Sequence, residues 1–432
     1  MSGDAAARCD ALIRAGEALA DRPVADVVAT LAAACARWRD PADRARLEGE
    51  RALSLHHRVP VGAIARVLDA GFEPWTERAL LGRAESELGN ARALDGFVAM
   101  GSARRVALGP RLAVALTSRG VPTTPVGDLI DLVSVKAPVW LKPAAGSGDL
   151  AARFAATLAE IDPGMGAAIE VSGWPRGSPD GRAVLAAADL VMATGRAETL
   201  AGVERLVPDG ARLVLHGPRL SAALVTRSAL ESDFDGCVRA LADDVAFAGQ
   251  AGCLSPVVAW VEGGGEELLE PVQAACVERW PASARRESQA GERAAWAEWA
   301  AVRAVERAAG RPVAVVGDLD SGWSVEWRPE PGPPTPPPCP RILAVAPLTD
   351  AREAARLCAR ARGTVACVGI AGGGAEMERL ALPLARAGVE RVTPLGRMQR
   401  PPAGWRRDGR PSIADLVRWV DREEGNGVTL EG

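Results

Sequence analysis

From Ala137 onwards the chain alternates short apolar runs with longer stretches of helical period, and that rhythm restricts the fold more than any single residue does. APVWLKP reads as a strand, DLAARFAATLAEI as a helix, GAAIEVSG as a strand, GRAVLAAA as a helix, DLVMATG as a strand, RAETLAGVERLV as a helix and ARLVLHG as a strand. Strands separated by helices pair in parallel, because a parallel crossover needs about a dozen residues and a helix supplies them while covering a sheet face. Such a sheet is buried on both sides and takes its ligands beyond the carboxyl ends of its strands. The fold class is therefore α/β.

The alternation continues past a second landmark. DFDGCVRALADDVAFAG is a helix that delivers the chain to the small-residue corner GQAGCLSP, after which VVAWVE is a strand and EELLEPVQAACVERW a helix. A polar helix bearing tryptophans follows from about Ala284 to Ala309, then two short strands in RPVAVVGD and GWSVEWRP. PEPGPPTPPPCP, with eight prolines in twelve residues, is a stiff extended connector that is easily mistaken for a domain boundary. RILAVAPL, DAREAARLCARAR, TVACVGIAG, AEMERLALPLARAG and VERVTPLG then resume the strand–helix order. Ahead of all this, the first 95 or so residues are helix-like throughout, with Asp and Pro at plausible starts.

Length and charge narrow the function classes. A chain of 432 residues exceeds the size at which one core keeps growing, so at least two domains are expected. A formal net charge of -4 argues against the basic footprint of a nucleic-acid binder. No apolar run approaches the ~20 residues of a membrane span, and Met1 to Ala20 lacks a signal-peptide core, so a cytoplasmic protein is expected. The eight cysteines are scattered without a CxxC and only three histidines are present, which indicates neither a metal site nor a disulfide framework. Cys276, Cys358 and Cys367 fall in apolar patterns and read as core; Cys339, in the proline run, reads as exposed.

Cys253 stands out because a thiol on a turn between two rigid elements is held still and reachable, as covalent catalysis requires. Three strand ends complete the candidate set: Lys142, Thr194 with Gly195, and His216 with Gly217. Thr194 and Gly195 precede a helix whose free N–H groups and dipole favour a phosphate, though no GxGxxG is present and an ordinary turn explains Gly195 equally well. Lys142 is one of only two lysines among 51 basic residues, and at a strand end its compact ammonium suits a ribose hydroxyl or a 2′-phosphate; an exposed lysine of no special role is the alternative. His216 is isolated, and isolated histidines at strand ends are more often structural.

The order Lys-Pro, Thr-Gly, Gln-x-x-Cys-x-Ser-Pro resembles the aldehyde dehydrogenase superfamily. Within it the chain is similar to the acyl-CoA reductases of the bacterial bioluminescence type, through DRPVADVVATLAAACARWRDPADRAR, ALGPRLAVAL, GVPTTP, LKPAAGSGDLAARFAATLAEIDP and above all RVTPLGRMQRPPAGWRRDGRPSIADLVRWVDRE, with Trp405, Asp408 and Gly409. The resemblance implies an aldehyde-dehydrogenase-like fold: a helical N-terminal segment over 1–98, a Rossmann-type dinucleotide-binding domain over 99–247, an α/β catalytic domain carrying the thiol over 248–398, and a C-terminal segment over 399–432. It implies reduction of a fatty acyl thioester, acyl-CoA or acyl-carrier, to an aldehyde with NADPH. Cys253 is then the nucleophile, and Lys142, Thr194, Gly195, His216 and Gly217 line the cofactor site. Acyl-supplying enzyme subunits and a homo-oligomer are the expected partners. Oxidising members of the superfamily carry a glutamate in the region of ARLVLHGPRLSAALV, whereas no acidic residue lies between Asp209 and Glu231. Where the family commonly has Gly-Asn-Val-Pro this chain reads Arg119-Gly120-Val121-Pro122, without the amide that assists an oxyanion. The other readings compatible with these residues are an acylating aldehyde dehydrogenase and a catalytically weakened acyl-binding partner in a biosynthetic complex.

Overall fold

The computed structural model describes residues 2–281, 290–361 and 363–423. Its strands, numbered in chain order, form three sheets. A small antiparallel sheet joins β1 (Val98–Met100), β2 (Ala103–Leu108) and β15 (Arg418–Arg422). A five-stranded parallel sheet has the order β5 (Ile169–Val171), β4 (Val139–Lys142), β3 (Ala113–Leu116), β6 (Leu190–Thr194), β7 (Arg212–His216). The third sheet runs β10 (Ala314–Val316), β11 (Ser324–Trp327), β12 (Ile342–Leu348), β9 (Pro256–Glu262), β8 (Leu220–Val225), β13 (Val365–Ala371), β14 (Arg391–Pro394). Its strands are parallel except for the β10–β11 pair.

In the five-stranded sheet the chain moves outward from β3 through β4 to β5, then returns to β6 on the other side of β3. That reversal opens a crevice at the carboxyl ends, where ligands of parallel sheets bind. Five helices over residues 2–88 cover this half of the molecule. They begin at side-chain caps where the sequence offers them: Asp43 accepts from the Ala45 amide and Thr76 from that of Ala79. Their apolar faces are not a separate core. Trp38 stacks on Phe72 with ring centroids 5.5 Å apart, and Phe72 reaches Phe154, 5.8 Å away on the helix that follows β4. Lys136 fastens the same junction, its buried ammonium donating to the carbonyls of Ala20 and Leu94 and to the Asp95 carboxylate. One of the two lysines thus has a structural use: a compact ammonium with three acceptors around it, on a residue whose φ is 61°.

Three details differ from the sequence reading. The strand β8 lies before residue 247 yet sits inside the seven-stranded sheet, between β9 and β13, so the sheets divide in the short link Gly217–Arg219. Local periodicity reports that a segment is a strand but not which sheet takes it. At the front of the expected 99–247 domain, β2 joins the small sheet beside β15, and the five-stranded sheet begins only with β3. Cys339 is buried rather than exposed, packed with Trp299 and Ile342, because the proline run is not a free linker. It links β11 to its parallel neighbour β12, so it must return across the sheet, and Trp260 Nε1 donates to the Gly332 carbonyl to hold it there. The tryptophan-bearing helix spans Ala290–Ala308, and residues 284–289 of the expected helix lie outside the described residues. Cys276, Cys358 and Cys367 are fully buried, as their patterns imply.

No helix among the described residues is long and apolar enough to cross a membrane. Because Phe72 sits where the N-terminal helices meet the five-stranded sheet, Phe72→Ala is expected to lower unfolding free energy by about 3–5 kcal/mol. Urea denaturation followed by circular dichroism should show one shifted transition for this half of the molecule; an early separate loss of the N-terminal helices would contradict the shared core.

Candidate active site

The approach to Cys253 is a conformationally demanding turn. The helix Phe234–Val245 ends, and Ala248, Gly249 and Gln250 all take left-handed backbone angles, with φ of 49°, 66° and 63°. For Ala248 and Gln250 this costs about 1–2 kcal/mol each. At Gly249 a side chain is also excluded by space, since a Cβ would meet Trp280 Nε1 at 2.8 Å. What holds the turn is the buried amide of Gln250. Its Nε2 donates to the carbonyls of Pro256 (2.8 Å) and Ile342 (3.1 Å), and its Oε1 accepts from the amides of Arg341 (2.6 Å) and Ile342 (3.1 Å). Every hydrogen-bonding position of the amide is used, and the corner is pinned to the start of β12. This is a physical role for the Gln of Gln-x-x-Cys.

Cys253 is exposed while the other seven cysteines are buried. Its carbonyl accepts from Ser221 Oγ at 2.7 Å, fixing the corner to β8 as well. The residue as a whole is exposed, yet protein crowds round its sulfur, and this burial pushes the thiol pKa above the ordinary value. Arg407 pulls it down through space, Asp408 and Glu390 push it up, and its own backbone N–H also favours the thiolate. The net direction is upward, so the resting sulfur is protonated at neutral pH.

The strand-end residues occupy the carboxyl edge of the five-stranded sheet. Thr194 and His216 are direct partners in the β6–β7 ladder, and Gly195 donates its N–H to the His216 carbonyl at 3.1 Å, with Gly217 next in the chain. Lys142 ends β4, two strands away from β6, with its ammonium 5.6 Å from the Trp174 ring centroid. Two further features of this edge carry no sequence signal of their own. Thr117, just past β3, has a buried hydroxyl without a partner. The helix Ala197–Glu204 begins at Arg196 with no side-chain cap, which leaves its first amides unclaimed by a side chain.

The residues that connect the two regions come from the C-terminal segment. Arg407 donates to Asp128 Oδ1 and to Thr194 Oγ1, each at 3.1 Å. Asp408, at φ 57°, accepts from His216 Nδ1 at 2.5 Å and lies 3.4 Å from Arg219, which in turn pairs with Glu390 at 2.9 Å. Burial raises the Asp408 carboxyl, but the hydrogen bond and charge of His216 with those of Arg219 and Arg407 outweigh it and hold the pKa below the usual carboxylate value. In Glu390 burial prevails over Arg219 and the pKa is raised. Asp408 belongs to the most distinctive block of the sequence, yet nothing in that block names His216 as its partner, 192 positions away. Arg407, Arg219 and Glu390 are ordinary charged residues when read along the chain.

Gly120 has a spatial reason to be glycine here. The loop Arg119–Pro122 packs on the catalytic corner so closely that a Cβ at Gly120 would meet the Ala251 carbonyl oxygen at 2.8 Å.

The family model for acyl-CoA reductase (LuxC) matches residues 19–419. The chain belongs to this family. It is an oxidoreductase, and its fold is shared with solved aldehyde dehydrogenases. An aldehyde dehydrogenase from Pseudomonas syringae, in complex with NAD+ and octanal, is 14% identical over 98% of this chain and 89% of that chain, with a TM-score of 0.70. An NAD-dependent benzaldehyde dehydrogenase from Corynebacterium glutamicum is 15% identical over 98% and 90% of the two chains, and an acetylating aldehyde dehydrogenase from Geobacillus thermoglucosidasius 13% identical over 98% and 97%, both with a TM-score of 0.68. No curated protein matches the chain.

The thiol electrostatics can be read directly. The rate of Cys253 alkylation by iodoacetamide should rise with pH to a midpoint above that of free cysteine. Arg407→Met removes the cation that opposes burial, so the midpoint should move further up and the rate at pH 7 should fall several-fold; an unmoved midpoint would show that Arg407 does not act on the sulfur.

Proposed function

We propose that this acyl-CoA reductase family member reduces a fatty acyl thioester, delivered as acyl-CoA or on an acyl carrier, to the aldehyde with NADPH, through an acyl group held on Cys253. The observation that carries the reading is the one exposed cysteine, on a corner locked by Gln250, beside a carboxyl edge furnished for a dinucleotide.

The residues of that edge suit the cofactor. A pyrophosphate fits the unclaimed amides at the start of the helix Ala197–Glu204, next to Thr194 and Gly195. The partnerless Thr117 hydroxyl is a donor awaiting an acceptor, and the Lys142 ammonium, which makes no ion pair among the described residues, suits a ribose 2′-phosphate. His216 and Gly217 close the same edge. The contribution of the bound dinucleotide is the hydride transferred to the acyl carbon.

The protein's own part is covalent catalysis. The Cys253 sulfur attacks the thioester carbonyl, a new C–S bond forms and the carrier thiol leaves. The Cys253 backbone N–H, which already favours negative charge on its own sulfur, is the local donor to the oxyanion. Persistence of the acyl-enzyme follows from the carboxylates nearby. Asp408 is engaged by His216 and Arg219, and Glu390 by Arg219, so neither stands as a free base to activate water. An acylating aldehyde dehydrogenase would share the covalent intermediate and differ in favoured direction. Acyl-supplying subunits are proposed as partners. The small sheet of β1, β2 and β15, with Leu108 and Trp419 exposed, is the proposed homo-oligomer contact.

Purified protein incubated with long-chain acyl-CoA and NADPH should consume the cofactor and release aldehyde, with an acyl adduct on Cys253 detectable by mass spectrometry. Cys253→Ala should abolish the adduct and lower turnover by roughly a thousandfold or more, and retained activity would remove Cys253 from the mechanism. Lys142→Ala should raise KM for NADPH about tenfold or more with little change for NADH, reflecting loss of one charge-assisted contact; equal effects on both cofactors would argue against a 2′-phosphate contact. Binding of acyl-CoA without any adduct would instead favour the weakened-partner reading, for which the tight Gly120–Ala251 approach is the motive.

A further inference from the structure

We infer that His216 is the proton-transfer group of the acylation step and that Asp408 is its positioning residue; this rests on the proposed acyl-enzyme reading and deepens it. The pair has the geometry of a base with an orienting carboxylate. His216 is buried at the carboxyl end of β7, and its Nδ1 is held 2.5 Å from Asp408 Oδ2. An ionised carboxylate accepts only, so Nδ1 must carry the hydrogen. The neutral ring then presents Nε2 as a lone pair, and Nε2 has no hydrogen-bond partner among the described residues and is not among the sealed, unsatisfied atoms. A histidine that served structure alone would have no reason to leave that nitrogen open.

The placement fits the chemistry. His216 faces Thr194 across the ladder on the cofactor side. Five residues further on, Ser221 holds the carbonyl of Cys253. The charges around the pair are Asp408, Arg219, Arg407 and Glu390, and three of these, Asp408, Arg407 and Glu390, are also the charges that act on the Cys253 sulfur. The His216–Asp408 pair thus shares its ladder with the Thr194 edge and its surrounding charges with the thiol. The need is equally plain: a thiol that rests protonated must lose its proton before it attacks, and a leaving thiolate must gain one.

The step balances without another reactant. The proton passes from Cys253 Sγ to His216 Nε2 as the S–C bond to the acyl carbon forms, and from Nε2 to the departing sulfur as the thioester C–S bond breaks. Asp408 stays ionised and stabilises the imidazolium between the two transfers. Because Asp408 orients the ring, its removal leaves Nε2 free to turn away and slows both transfers.

The test measures the rate of Cys253 acylation by acyl-CoA, read by mass spectrometry from pH 5.5 to 9.5, in wild type, His216→Gln, His216→Ala and Asp408→Asn. His216→Gln is expected to lose roughly a hundredfold or more at neutral pH and to lose the acid limb, while iodoacetamide alkylation at pH 9.5 stays near wild type. Added imidazole should partly restore His216→Ala, which separates proton transfer from misfolding. Asp408→Asn should acylate more slowly, while its iodoacetamide alkylation at pH 9.5 stays near wild type. A His216→Gln protein that alkylates normally and acylates with the wild-type rate and pH profile would overturn the inference and leave Cys253 in place. Absence of acylation in the wild type would overturn the covalent reading and this inference with it.

Discussion

The C-terminal arm that leaves β14 is tied to every part of the molecule that the site needs, and those ties are polar and specific. The Gly396 and Met398 amides donate to Asp244 on the helix that leads to the catalytic corner. The Gln399 amide donates to Ser255, two residues past Cys253, and Arg397 and Arg400 pair with Glu73 on the N-terminal helices. Arg407 then binds Asp128 and Thr194, Asp408 binds His216, Glu87 accepts from the Ile413 and Ala414 amides, and the chain ends its described course as β15 on the small sheet. Buried polar groups are costly unless satisfied, so the contacts at Asp244, Asp128 and His216 specify one position of the arm rather than a range of them, while the exposed pairs with Glu73 add little. The strap thereby touches elements of both large sheets at once.

The arm also supplies Cys253 with the cation that its own stretch of sequence lacks. Burial holds its proton on, and the arm brings in both the cation that opposes burial and the carboxylate that orients His216. Asp408 does this from a left-handed backbone position beside Gly409, itself at φ 69°. Strain of that kind persists only where surrounding contacts over-determine it. At Asp408 the contacts are with His216 and Arg219; at Ala248 and Gln250, on the other side of the site, they are the four hydrogen bonds of the Gln250 amide. The same device is used twice to fix a reactive group.

Gly120 illustrates how a missing side chain acquires meaning only in three dimensions. Read along the chain, it is a lost oxyanion amide. In space it is the point where the Arg119–Pro122 loop reaches the Ala251 carbonyl, an approach that any side chain would push apart. The loss of the amide and the closure of the loop on the corner are one structural event, and the Cys253 backbone N–H becomes the donor nearest the reacting carbon.

Much of this protein is legible in one dimension. The strand–helix alternation specifies parallel sheets, helical spacing specifies the N-terminal helices, and the Lys-Pro, Thr-Gly and Gln-x-x-Cys strand ends mark the edge where chemistry belongs, because burial on two faces and crossover length constrain local pattern directly. Sheet membership is not written locally, which is why β8 passes from one side of an expected boundary to the other and why Cys339 turns out to be buried under a connector that must recross its sheet. The partnership of His216 with Asp408, and of Arg407 with Thr194, joins residues about two hundred positions apart. Their meaning depends on distance through space, since charge and hydrogen bonding act over a few ångströms and not along the chain. The sequence determined the fold class and marked Cys253 as the candidate, and only the tertiary structure decided which groups surround that sulfur.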